Sequence, residues 1–194
     1  MPFRTIGVRS TRFYSAHHAL LRIASASLSS AKAKEAGWED HQFVAIALSA
    51  LAIEALCNAV GERSVPDWDE YESCSPKAKL RILCTSLGIE YDKTAEPWSS
   101  LAWLGALRNK VAHPKAEQVD ETVEVIGWEK SKERHRIAPK SALEKQISEG
   151  NAERAVQAVK TAKTLFAAAL PEEKQVGISS DSWCSSSRIL NEGV

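Results

Sequence analysis

Residues 43–60 read FVAIALSALAIEALCNAV, and only Ser49, Glu54 and Asn58 in this stretch are not apolar. The stretch approaches the length of a membrane span. A carboxylate and an amide two-thirds of the way along it, together with its many alanines, favour the central helix of a bundle instead. Because a helix that is apolar on all faces is buried, the sequence predicts an all-α fold around a helix from about residue 41 to 60, with no membrane contact.

Four further segments can pack around this central helix. They are a basic helix at about residues 10–34, a short helix that starts with Ser75 and Pro76 and ends before Gly88, a helix at residues 98–113 that ends before Pro114, and a last helix from Ser141 to Leu170 that starts with a capping box. We therefore expect an up-down bundle of four to five helices in one domain, residues 10–170, with a short irregular or β insertion after the helix at residues 98–113. Residues 1–9 are expected to be flexible, and the Ser-rich residues 171–194 to form a disordered tail.

The first 34 residues contain six Lys or Arg side chains and no acidic one. A basic first helix accounts for this composition, since Phe13, Leu20 and Leu28 can face the core of a bundle. An Arg- and Ser-rich, acid-poor start is also typical of an organellar transit peptide. A disordered segment is the third interpretation.

Residues 108–113 read RNKVAH and stand at the end of a predicted helix, directly before Pro114. At roughly 100° per residue, Asn109 and His113 share a helix face, whereas Arg108 lies about 140° from His113. Spacing alone therefore does not aim both groups at one atom. The long Arg side chain, a loosened last turn or a second copy of the helix must close the gap. Small residues on the face of Asn109 would allow another helix or a ligand to come close: Ala102, Gly105, Ala106 and Ala112.

The side chains of this hexamer suit phosphate chemistry. The Arg108 guanidinium can hold phosphate oxygens, and His113 can act as acid or base at neutral pH. Asn109 could hold the phosphate or the imidazole. A simpler interpretation is that His113 closes the helix over its last carbonyl groups while Arg108 forms a surface ion pair.

The motif R-N-K-V-A-H-P resembles that of the HEPN superfamily, in which Arg and His are separated by four to six residues and a polar residue follows the Arg. Here Arg108, Asn109 and His113 match, and Glu54-Ala-Leu-Cys-Asn58 on the preceding apolar helix adds weaker support. The resemblance implies a helical bundle that dimerises and, in many members, metal-independent cleavage of RNA, although some members are not nucleases. Glu54, with Asn58 beside it, would then orient Arg108 or its symmetry mate. Alternatively, Glu54 pairs with a cation of the first helix.

Any contact with RNA must come from local basic patches, because 25 basic and 25 acidic side chains cancel. Lys110 and Lys115 flank the motif. The segment at residues 128–140 contributes further cations and either contacts nucleic acid or is an ordinary surface loop; they are Lys130, Lys132, Arg134 and Arg136. Residues 122–126 can form a hairpin before it. On the short helix, Lys77, Lys79 and Arg81 could line a backbone track or simply face solvent.

The four cysteines form no C-x-x-C pair and have no His at zinc-finger spacing. We therefore expect neither disulfides nor structural zinc, and reduced thiols point to the cytoplasm. The sequence also has no Gly-rich phosphate loop, no H-E-x-x-H motif and no nucleophile elbow, so we expect no metal or other cofactor.

These features predict a metal-independent endoribonuclease that acts by 2′-hydroxyl transphosphorylation, as a homodimer on RNA. Such an enzyme could be a toxin or defence effector under the control of an antitoxin or other regulatory protein. The alternative is a non-catalytic HEPN-like module that binds nucleotide, RNA or a partner protein, and the third interpretation is a purely structural bundle.

Overall fold

Five α-helices and a two-stranded antiparallel sheet make up this chain in a computed structural model that describes residues 5–113, 115–122 and 138–191. In chain order the elements are β1 (Thr5–Phe13), α1 (Ala16–Lys32), α2 (Trp38–Ser64), α3 (Pro76–Leu87), α4 (Trp98–Ala112), α5 (Glu149–Ala169) and β2 (Ser182–Asn191), with single 3-10 turns at Trp68–Tyr71, Glu144–Gln146 and Glu172–Lys174. The prediction of an all-α helical bundle is confirmed.

The central position of α2 is also confirmed. This helix packs against α1, α3, α4 and α5, and its residues Ala45, Ala52, Leu56 and Val60 are fully buried. By length and composition α2 could cross a membrane, yet half of its most apolar stretch is buried inside the bundle. That burial is typical of the core helix of a soluble protein.

The ends of α3 and α4 follow the predicted signals. The Ser75 side chain accepts a hydrogen bond from the backbone N–H of Ala78 at 3.3 Å, Pro76 occupies the first turn, and Gly88 adopts a left-handed conformation with φ of 67°. The last helical residue of α4 is Ala112, and His113 leaves helical geometry, because the following proline disfavours it.

Near the two ends of the chain, the described residues 5–13 and 182–191 differ from the prediction. Instead of a flexible start and a disordered tail, β1 and β2 pair in an antiparallel ribbon in which Arg9 lies opposite Ser186. Helix α1 consequently begins at Ala16, not near residue 10. Local composition could not reveal this pairing, since each strand depends on a partner more than 160 residues away.

The ribbon is joined to the bundle at its inner end. Gly177 has φ of 77°, and a Cβ there would overlap the Phe13 ring, so only glycine fits. Beside this contact, Arg12 donates a hydrogen bond to Asp181 at 2.8 Å.

The predicted capping box is present, but it does not begin the long helix. Glu144 accepts from the Ser141 N–H at 2.7 Å and the Ser141 hydroxyl accepts from the Glu144 N–H at 3.2 Å, but this box caps only the turn Glu144–Gln146. The long helix α5 starts later, with the Ser148 side chain as its cap. Before it, residues 115–122 are irregular. Most of the hairpin predicted at residues 122–126 lies outside the described residues.

Candidate functional site

A groove of about 410 Å³ lies between α2 and the C-terminal half of α4. Arg108 and His113 line it together, and the rest of its wall is apolar: Phe43, Ile46, Ala47, Ala50, Leu51, Leu107, Val111 and Ala112. Leu51 is 42% exposed. The two charged or titratable side chains of the predicted motif therefore border an apolar surface that is open to ligand.

An ion pair fixes Arg108 beside this groove. Its Nη2 lies 3.0 Å from Oε2 of Glu54 and donates a hydrogen bond to Oε1 at 3.3 Å, while Nη1 donates to Oδ1 of Asn109 at 3.1 Å. The side chains of Arg108 and Glu54 are 35% and 28% exposed. Glu54 thus contacts the motif arginine within one chain, and not a cation of α1. The guanidinium is held in place while part of it still meets solvent.

His113 joins Arg108 at the groove because the last turn of α4 is loosened. Its backbone N–H still donates to the Asn109 carbonyl at 3.0 Å, but φ of −130° and ψ of 59° take it off the helical path. The loosened last turn is one of the three ways considered for bringing Arg108 and His113 together, and it needs no second chain. The His113 side chain is exposed, so it is accessible to a substrate.

Asn58 does not lie in the motif cluster. Its Oδ1 accepts a hydrogen bond at 2.9 Å from Nζ of Lys79, and Lys79 is only 2% exposed. The predicted support of Arg108 by Asn58 is therefore wrong, and so is a solvent-facing track that includes Lys79. Next to this pair, burial raises the pKa of the Cys57 thiol to about 12, which leaves the thiol unreactive.

The small-residue face of α4 is partly occupied within the chain. Gly105 is buried, and a Cβ there would lie 3.1 Å from Cβ of Pro76 on α3. Gly105 is thus unavailable for the predicted contact with a second copy. Ala106, Asn109 and Ala112 remain exposed.

The remaining predicted RNA contacts divide into two sets. Lys110 and Lys115 are exposed near the motif. Lys130, Lys132, Arg134 and Arg136 lie outside the described residues. Across residues 5–113, 115–122 and 138–191, the structure has no group of three His, Cys, Asp or Glu side chains that could hold a metal ion.

A histidine pair at the start of α1 was not predicted from the sequence. His17 is 1% exposed, its Nε2–H donates to the Ile178 carbonyl at 3.3 Å, and its Nδ1 accepts from the Ser15 hydroxyl at 2.6 Å. His18 donates to the Gly177 carbonyl at 3.1 Å. The only local signal is two consecutive histidines before an apolar helix, because both carbonyl partners come from the far end of the chain.

Burial makes His17 hard to protonate. Desolvation and, after it, the charge of His18 lower the pKa of His17 to about 4. The Ile178 hydrogen bond opposes this shift, Lys163 adds a smaller lowering effect, and Asp181 has the smallest effect, which raises the pKa. Desolvation also lowers the pKa of His18. The two imidazoles hold residues 177 and 178 against α1 through their hydrogen bonds to the backbone carbonyls.

No family model, curated protein or solved structure matches this chain. The likeness to HEPN proteins therefore stays a prediction from the motif residues. What this chain can do has to be argued from the groove and the surfaces around it.

Proposed function

We propose that this protein is a metal-independent endoribonuclease with its active site at the groove between α2 and α4. The observation that carries the proposal is the Glu54–Arg108 ion pair, which holds a guanidinium beside the groove that His113 also lines. A fixed, partly exposed cation next to an exposed imidazole is suited to binding a phosphodiester and moving a proton at it.

The reaction would use the ribose 2′-hydroxyl as nucleophile. The 2′ oxygen bonds to phosphorus and the bond from phosphorus to the 5′ oxygen breaks, which leaves a 2′,3′-cyclic phosphate and a 5′-hydroxyl. His113 takes the 2′ proton or gives a proton to the departing 5′ oxygen. Arg108 stabilises the extra negative charge at phosphorus, Asn109 helps to hold the phosphate, and Glu54 positions Arg108.

A homodimer would complete this chemistry. One groove offers one His113, whereas the base and the acid act at opposite ends of the reacting phosphate. A second copy across a two-fold axis would supply the other imidazole, and the exposed Leu51, Ala106 and Asn109 offer surface for that contact. Mixing the inactive Arg108→Ala and His113→Ala proteins should then restore some cleavage if each site draws one residue from each chain. A monomer at micromolar concentration in sedimentation would overturn the shared site.

The biological setting that we propose is the cytoplasm, where an antitoxin or another regulatory protein would restrain a toxin or defence nuclease. All four cysteines are unpaired, and Cys57 and Cys84 are buried, as in proteins of reducing compartments.

A non-catalytic binding module is the second candidate. The apolar wall of the groove favours it, since an exposed apolar surface of this kind also suits a nucleobase or a helix of a partner protein. In that case Arg108 and His113 would contribute contacts and no chemistry.

Incubation of single-stranded RNA with the purified protein in EDTA separates the two candidates. We expect cleavage with 2′,3′-cyclic phosphate ends, no cleavage of DNA or 2′-O-methyl RNA of the same sequence, and loss of cleavage in His113→Ala. Arg22→Ala, which removes an exposed arginine of α1, is the matched control for Arg108→Ala and should keep full activity. Cleavage that chelation abolishes, or DNA cleavage, would reject the mechanism. RNA that is bound but left intact would establish the binding module.

A further inference from the structure

A second cavity, also of about 410 Å³, lies on the outer side of α3. Three cationic side chains from two separate segments line it: Lys77 and Arg81, one turn apart on α3, and Lys93 from the loop that leads to α4. All three are exposed. Lys79, between the first two, points inward to Asn58 and takes no part.

The cations of this cavity make no ion pair within the described residues. None of the ion pairs found there includes Lys77, Arg81 or Lys93. The nearest acid in sequence, Asp92, accepts hydrogen bonds from the N–H and the hydroxyl of Thr94 at 2.8 and 2.7 Å. These hydrogen bonds lower the pKa of its carboxyl, and the charge of Lys93 adds a smaller effect in the same direction. Three positive charges therefore face one solvent-filled space.

A fixed aromatic wall supports these cations. The Tyr91 ring lines the cavity and packs against Trp98 of α4, with ring centres 5.6 Å apart and Trp98 4% exposed. The Tyr91 hydroxyl is buried, and desolvation raises its pKa while the charge of Arg81 lowers it. One wall of the cavity is thus packed on the core, while the three cationic side chains are exposed.

The cavity lies beside the N-terminal half of α4, where Tyr91 packs on Trp98, whereas the motif lies at the C-terminal end of the same helix. Pro76, which begins α3 between two residues of the cavity wall, packs on Gly105 of α4. Gly105 lies one turn before Asn109 and about 12 Å before His113 along the helix. A strand bound at the motif would reach the α3 cavity by extending several nucleotides toward the N-terminal end of α4.

We propose that the cavity formed by Lys77, Arg81 and Lys93 binds backbone phosphates of the RNA strand to one side of the scissile bond. This inference rests on the proposed ribonuclease function and adds a binding subsite to it. Phosphate is the ligand that these observations favour, because three of the seven residues that line the cavity are lysine or arginine, whose charge attracts the backbone phosphates of any sequence. The subsite would therefore contribute affinity and positioning without sequence preference.

The test compares two double variants that each remove one lysine and one arginine. Lys77→Ala/Arg81→Ala removes two of the three cations of the cavity. Arg22→Ala/Lys160→Ala removes exposed cations of α1 and α5 instead. Binding of a fluorescent 2′-O-methyl RNA dodecamer is measured by anisotropy at several salt concentrations. We expect the cavity variant to bind about tenfold more weakly, with a salt slope lower by about 1.4 for two lost phosphate contacts, and the control to bind within about twofold of the unmodified protein.

A second readout separates this proposal from the ribonuclease proposal. The cavity variant should show a raised KM and an unchanged kcat on a long RNA, and unchanged kinetics on a dinucleotide too short to reach the cavity. If the unmodified protein cleaves nothing, the anisotropy assay still decides whether the cavity binds RNA. Equal binding by the two double variants would overturn the subsite. Competition by a polyglutamate peptide at lower concentration than by RNA would also overturn it and assign the cavity to a protein partner.

Discussion

Glu54 and Asn58 lie one turn apart on α2, and each holds a cation from another helix. Glu54 binds Arg108 of α4 in a pair that is partly open to solvent. Asn58 binds Lys79 of α3, which is 2% exposed. Two neighbouring polar residues of one helix thus hold cations in different environments: a ligand can reach Arg108, whereas Lys79 is buried in the core.

The difference shows that the helix packed above a polar residue determines what that residue can do. A buried ammonium must keep its partner, because an unpaired charge inside a protein costs several kcal/mol. A partly exposed ion pair contributes about 1 kcal/mol or less to stability, so its cation can serve a ligand instead. Arg108 should therefore matter for activity, and Lys79 for folding.

The largest effect that we expect is the loss of cleavage when Arg108, the cation of the partly exposed pair, or His113 beside it is removed. Arg108→Ala and His113→Ala should each lower kcat by a factor of about 100 to 1,000, the loss typical of removing a group that stabilises charge in the transition state. Neither should change the free energy of unfolding by more than about 1 kcal/mol. Single-turnover cleavage and urea denaturation measure the two quantities. A His113→Ala protein that unfolds would instead identify His113 as a residue that closes its helix.

The buried pair of Asn58 and Lys79 should matter for stability and not for cleavage. Asn58→Ala leaves the Lys79 ammonium buried without its hydrogen bond, and we expect it to lower the free energy of unfolding by about 2 to 3 kcal/mol. Cleavage per folded molecule should not change. Asn58→Leu/Lys79→Met is the matched control, since replacing both partners by apolar groups is often nearly neutral. Full stability of Asn58→Ala in urea denaturation would contradict the distinction between the two pairs.

The two pairs can be compared only at pH values where the bundle is folded, and we expect His17 to affect its stability at low pH. Its pKa of about 4 in the folded protein is below the ordinary value of 6.5, so the unfolded chain binds a proton first as the pH falls. Stability is therefore lost from about pH 6.5 down to pH 4, and we expect a loss of about 2 kcal/mol between pH 7 and pH 5. The His17 imidazole is surrounded by other polar and titratable side chains, namely His18, Lys163, Asp181 and Ser15.

Urea denaturation of His17→Gln at both pH values checks this expectation. Glutamine keeps a donor for the Ile178 carbonyl but does not titrate, so most of the pH dependence should disappear. An equal loss of stability in the variant would assign the acid sensitivity to other groups. Cleavage assays on the open pair are meaningful only where the bundle stays folded.

The smallest effect that we expect is that of Glu54→Gln. The amide can still accept one hydrogen bond from Arg108 but no longer pairs with its charge, so the guanidinium is held less firmly. We expect kcat to fall by about tenfold with KM little changed, and the free energy of unfolding to change by less than about 1 kcal/mol. If kcat is unchanged, Glu54 has no positioning role.

Local signals predicted much of the fold. The apolar run at residues 43–60 identified the central helix, Ser75, Pro76 and Gly88 marked both ends of α3, and Pro114 marked the end of α4. The Ser141 capping box is present as well, but a cap does not determine how long the following helix runs.

Long-range contacts were beyond these signals. Arg9 pairs with a strand near the far end of the chain, and the His17 carbonyl partner lies at Ile178. At the site, the contact between Glu54 and Arg108 is one of the two pairings considered for Glu54. The inward turn of Lys79 does not, since charge clusters in a sequence do not show which member the core takes up.

The β1–β2 ribbon has a mechanical consequence. Thr5 lies opposite Asn191 at the outer end of the ribbon, and Phe13 lies opposite Ser182 where it joins the bundle. Force applied at Thr5 and Asn191 would load one cross-strand pair of hydrogen bonds at a time, because these bonds run perpendicular to antiparallel strands. The ribbon would therefore open like a zipper at low force and extend before the helices carry tension, so that the groove with Arg108 and His113 stays intact while the chain is pulled.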